Sequence, residues 1–232
     1  MQYQAGKLRV VFESILLLYL YFCLTTIFLV VPPLALKLIG IRLGLRPGTA
    51  ITLGGVLIAE LLALWAVSAY YKRRGIPIGT LGWSIPANKA AVIVLSLIAA
   101  ILYSWYAMQI PQVRQSVAEV SLLKVWGLAV GVAAALIEEI IFRGYVMARL
   151  QQAKIAPMFQ VLFASVAFSL LHIGFGLMGI LCTFIVGIAL GGLYLMGKRN
   201  LLGPILCHCT INAVLEPWLL LWLLTFYSEK FA

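Results

Sequence analysis

The feature that most constrains this chain is a succession of apolar runs, several of which approach or exceed the roughly 20 residues that span about 30 Å of hydrocarbon. No water satisfies backbone polar groups in a bilayer core, so each such run must close its own hydrogen bonds as a helix. Composition agrees: 64% of the 232 residues are hydrophobic and only 10% are charged, against about 25% charged in soluble domains. The expected fold is all-α, a polytopic transmembrane helical bundle of seven or eight spans, forming one integral-membrane domain over residues 1–232.

The first span is expected from about Ile15 to Leu36, with Pro32 and Pro33 marking a kink or an end. That run is longer than a signal-peptide core and no A-x-A site follows it, so it is expected to stay in the protein. Further spans are expected near 50–70, 90–110, 122–149, 157–173 and 177–196, and a last apolar block begins at Leu201. Glu216-Pro217 interrupts that block, which leaves the count at seven or eight. The spacing Gly187-xxx-Gly191 predicts a close helix–helix approach. The four cysteines lie in apolar runs without a CxxC pair and give no disulfide framework.

The net charge of +10 would suit a nucleic-acid binder, but the basic residues fall in short loops between spans, as membrane topology alone requires. No nucleic-acid partner is expected. Ten of them (Lys7, Arg9, Lys72, Arg73, Arg74, Lys89, Arg149, Lys154, Lys198, Arg199) fall on one side and six on the other. That bias predicts a cytoplasmic N-terminus, in a plasma (inner) membrane.

Ionisable residues are scarce and oddly placed. All seven acids are glutamate, and two of them, Glu138 and Glu139, lie side by side with Arg143 inside an apolar run. Each charge there costs at least about 2.5–3.5 kcal/mol on insertion scales, and such residues usually mark a function. The only histidines, His172 and His208, are also in apolar segments, and Glu60 lies within the second span. Glu60 is read as a polar support facing the bundle interior, the alternative being a satellite of the site.

Adjacent glutamates point about 100° apart on a helix, so Glu138 and Glu139 are not expected to face one point. Glu139 and Arg143 are spaced i,i+4 in the order that favours an ion pair. Glu138 is then placed to face a cavity as a general base. Phe168 and His172, and His208 and Asn212, are likewise i,i+4 pairs. The second pair offers two donors on one face, which suits a developing oxyanion. A base, an orienting histidine and two donors can direct water onto an amide. The bland readings stand beside this: His or Asn as helix–helix glue, and Glu139–Arg143 as a structural salt bridge.

Three motifs, Glu138-Glu139-xxx-Arg143, Phe168-xxx-His172 and His208-xxx-Asn212, occur in this order on separate spans. Together they resemble the family of CAAX prenyl proteases and bacteriocin-processing proteins (the Abi family), intramembrane glutamic endopeptidases, over about residues 120 to 215. The resemblance implies Glu138 as the catalytic glutamate, activating water with help from His172. It implies an oxyanion hole of His208 and Asn212, with Glu139, Arg143 and Phe168 supporting the site or binding substrate. It implies a peptide or protein substrate, membrane-anchored or lipidated in some relatives, and no cofactor. Prenylation of the substrate does not carry over from these residues.

Other intramembrane proteases fit less well. The chain has no Asp for an aspartyl dyad, no HExxH and no GxSxG. The alternatives that stay open are a zinc enzyme using Glu138, His172 and His208 as ligands, and a non-catalytic immunity or transport protein that uses the same residues differently.

Overall fold

The structure is a computed structural model that describes residues 6–41, 45–83, 88–109, 111, 114, 121–173 and 176–215. Glu216, Lys230 and the apolar stretch after Pro217 lie outside the described residues. Among the described residues the secondary structure is all-helical, with seven main helices: α1 (Lys7–Leu38), α2 (Leu45–Lys72), α3 (Lys89–Ala107), α4 (Leu122–Gln152), α5 (Pro157–Leu171), α6 (Gly176–Met196) and α7 (Leu202–Val214). Five of these, α1 to α4 and α6, are long and apolar enough to cross a membrane. The chain is thus an integral membrane protein, a transmembrane helical bundle.

Sequence chemistry sets the helix limits. Ser121 caps α4 by accepting the Lys124 amide at 3.3 Å, and Pro157 opens α5, where its missing N–H is no loss. Asn200 accepts the Leu202 amide at 2.8 Å just before α7. Pro32 and Pro33 do not end α1, which continues through both to Leu38. Gly82 needs its glycine twice over: its φ is +78°, and a Cβ there would strike the Arg199 carbonyl oxygen.

Ion pairs and hydrogen bonds fix which helix ends share a face. Glu13, near the start of α1, bonds Arg74, just past the end of α2, at 3.0 Å. Its other oxygen bonds Arg149, in the last turn of α4, at 3.1 Å. Asn88, before α3, donates to the carbonyl of Met196 at the end of α6 (3.2 Å). The start of α4 meets the start of α2 at the opposite face, where the Trp126 indole donates to Ala50 (3.2 Å). The ends of α1, α2 and α4 that carry Arg9, Arg74 and Arg149 are thus drawn together on one side.

Helix α4 is the hub: it packs against α2 and α7, and its lower half touches α1 and α5. Residues Ile140–Val146 within it form a π-helical turn, and all seven are buried. Such widened turns gather at functional sites. The predicted glycine approach is formed between α5 and α6. A Cβ on Gly187 would lie 3.0 Å from Ser165 Cα, and one on Gly191 would lie 2.8 Å from Val161 Cγ1.

Candidate active site

The site forms where α4, α5 and α7 meet, and each polar side chain in it is held by backbone or by another ionisable group. Glu139 and Arg143 are both fully buried and pair at 2.8 Å, one turn apart on α4. The second guanidinium nitrogen of Arg143 donates to the Gly187 carbonyl at 3.1 Å. The glycine that lets α6 approach α5 therefore also presents a backbone acceptor to the buried cation. The guanidinium carbon lies 5.0 Å from the centre of the Phe168 ring, a further favourable contact for a desolvated charge.

The two adjacent glutamates, expected to face different ways, reach the same imidazole. His208 Nδ1 lies 2.8 Å from Glu139 Oε1, and its Nε2 lies 3.6 Å from Glu138 Oε2. The 100° between neighbouring side chains is accommodated because a ring has two nitrogens on different edges. The carboxylates face one ring rather than one point. The carboxylate of Glu139, paired with Arg143, can only accept here, so His208 Nδ1 carries the hydrogen and donates. The Nε2 contact is too long for a hydrogen bond.

His172 follows the last residue of α5 as its C-terminal cap. Its Nδ1 lies 3.0 Å from the Phe168 carbonyl, which only accepts, so this nitrogen is also the N–H. In the neutral ring the lone pair is then on Nε2. The Phe168 ring lies 4.9 Å from His172 and 5.4 Å, edge-on, from His208. It thus joins the two histidines that the sequence places 36 residues apart.

Asn212 lies one turn beyond His208 on α7 and is 1% exposed. Its amide nitrogen donates to the Gly131 carbonyl of α4 at 2.9 Å, while its buried Oδ1 has no hydrogen-bond partner among the described residues. An NH₂ group has two hydrogens, so this bond fixes the carboxamide and leaves one N–H to aim elsewhere. Cys207 and Cys209 flank His208 as free thiols, and Cys209 Sγ contacts Val132 O at 3.7 Å. Among the described residues no three His, Cys, Asp or Glu side chains form a group that could hold a metal ion.

Sequence reasoning missed one member. The Tyr21 hydroxyl of α1 lies 2.5 Å from Glu60 Oε1 and 3.2 Å from Glu138 Oε1. Glu60 does face the interior, at 2% exposed, and through Tyr21 it is joined to Glu138. The only sequence signal was Tyr21's place on the buried stripe Val10, Ser14, Leu17, Leu18 and Tyr21 of α1, a helical spacing that also fits ordinary core.

Comparison with curated proteins and with solved structures found no match. The segment that carries all three motifs does match a known peptidase family: residues 120–214 fit the family model described as Rce1-like, type II CAAX prenyl endopeptidase Rce1-like, the family to which the motifs point.

Proposed function

We propose that this protein is a CAAX-type intramembrane endopeptidase that hydrolyses a peptide bond with a glutamate-activated water and without a metal. The observation that carries the reading is the imidazole of His208 set between Glu139 and Glu138, at 2.8 Å and 3.6 Å, on three helices' worth of buried structure. Glu138 Oε2 takes a proton from water as the water oxygen attacks the scissile carbonyl. His172 accepts the second hydrogen of that water at Nε2 and so orients it.

The negative charge passes to the carbonyl oxygen. His208 and Asn212 line the oxyanion position, where Asn212 donates its remaining N–H. The C–N bond then breaks, and the Glu138 carboxylic acid returns its proton to the departing amine. Each oxyanion donor is expected to contribute about 10²–10³ in kcat.

The test is cleavage of a mixed peptide library, with a farnesylated CAAX peptide included, by protein purified in detergent micelles. Cleavage lost in Glu138→Gln and indifferent to a zinc chelator is the expected result. Retained cleavage in Glu138→Gln, or loss on chelation, overturns the mechanism. Cleavage of unprenylated peptides alone would overturn the CAAX assignment and leave the mechanism standing.

A further inference from the structure

Nothing in the three motifs accounts for Tyr21 or Glu60, which come from helices outside the matched segment. We propose that Tyr21 is a positioning residue for Glu138, and that Glu60 holds Tyr21 in place. The inference rests on the reading of Glu138 as the base, and it adds two residues from α1 and α2 to that reading.

The geometry divides the Glu138 carboxylate into two ends. Oε1 faces the Tyr21 hydroxyl at 3.2 Å, and Oε2 faces His208. A glutamate side chain has three rotatable bonds, so a base needs a contact that fixes its rotation without occupying the reacting oxygen. Tyr21 supplies one. Its own ring is fixed by burial, at 1% exposed, and by the tilted contact with Phe142 at 6.0 Å. Phe142 lies in the π-helical turn directly after the glutamate pair.

Glu60 completes the arrangement. A phenol has one hydrogen, and the shorter contact, 2.5 Å, is to Glu60 Oε1. The hydroxyl is thus held between the two carboxylates, within donating distance of both, and ties Glu138 Oε1 to Glu60 while Oε2 stays clear for the water. Loss of that tie frees the Glu138 side chain to rotate and misplaces the base without touching substrate binding, so it appears in kcat and not in KM.

The experiment measures kcat and KM on a peptide found in the library screen, with Glu138→Gln run alongside. Tyr21→Phe, which removes one oxygen, is expected to lower kcat roughly 10- to 100-fold with KM unchanged. Glu60→Leu is expected to do the same by releasing the phenol. Glu60→Gln keeps an acceptor oxygen and is expected to restore most of what Glu60→Leu loses. The Tyr21→Phe/Glu60→Leu double variant is expected to be no worse than either single, because both act through one contact. Wild-type kcat in Tyr21→Phe, with Glu138→Gln inactive, would overturn this inference and leave the base in place. Activity in Glu138→Gln would overturn the base itself. Should Tyr21→Phe not fold, equal kcat in Glu60→Gln and Glu60→Leu overturns the inference on its own.

Discussion

Replacing Arg143 by Met tests how the buried charges hold one another. Methionine fills much of the same volume, so the change removes charge more than packing. It deletes the 2.8 Å ion pair with Glu139, the 3.1 Å bond to Gly187 O and the cation–π contact with Phe168 at 5.0 Å. Removing one partner of a buried pair costs about 3–5 kcal/mol, mostly because the other charge is stranded. Here His208 Nδ1 still reaches the same Glu139 oxygen at 2.8 Å, which puts the expected loss at the low end, about 3 kcal/mol. For a chain of this size each kcal/mol lowers Tm by about 2–4 °C, so the expected drop is about 6–12 °C.

The assay is thermal unfolding of wild type and variants in one detergent. The double variant Glu139→Gln/Arg143→Met removes both charges and is expected to recover at least half of that drop, since no charge is left stranded. A single-variant Tm within about 2 °C of wild type, or a double variant lower than the single, would falsify the stranded-charge reasoning.

Three further predictions concern packing and the helix ends. Gly187→Ala is expected to cost about 1–3 kcal/mol, because its Cβ would sit 3.0 Å from the Ser165 backbone; Gly192→Ala, whose Cβ would meet none of the described residues within 4 Å, is the control, and equal Tm values for the two would contradict the close approach. Phe168→Ala is expected to cost about 3–5 kcal/mol and to abolish cleavage, since its ring joins His172, His208 and Arg143; unchanged stability by thermal unfolding would argue against that packing. Glu13→Ala leaves the buried Arg149 without its carboxylate and is expected to cost about 1–3 kcal/mol. Adding Arg149→Met to it should recover part of the loss in the same thermal assay.

What could be read from the sequence was local or periodic. Apolar run length gave the helices, the i,i+4 rule gave Glu139 with Arg143, and Gly187-xxx-Gly191 gave a close approach to α6 without saying that α5 makes it. The comparison over residues 120–214 agrees with the family the motifs suggested. What could not be read was relational. Tyr21 lies 117 residues from Glu138 and 39 from Glu60, and no spacing rule links positions so far apart. The meeting of both glutamates on His208 was missed for a different reason: helical angles were applied to a point, whereas the partner was a ring with two ends. The bond from Asn212 to Gly131 O depends on which α4 carbonyl α7 lies against, and that is set only when the helices pack.

The π-helical turn in α4 has a consequence for how the helix is aligned. A widened turn acts as roughly one extra residue in an α-helix, and one residue is about 100° of rotation. The part of α4 before Ile140 is therefore set to one phase, which aims Glu138 and Glu139 at His208. The part after Val146 is set to another, which aims Arg149 at Glu13 near the start of α1. Deleting a single residue between 140 and 146 would restore a regular helix but force both ends into one phase. Either the chemistry or the anchoring could then be kept, and not both.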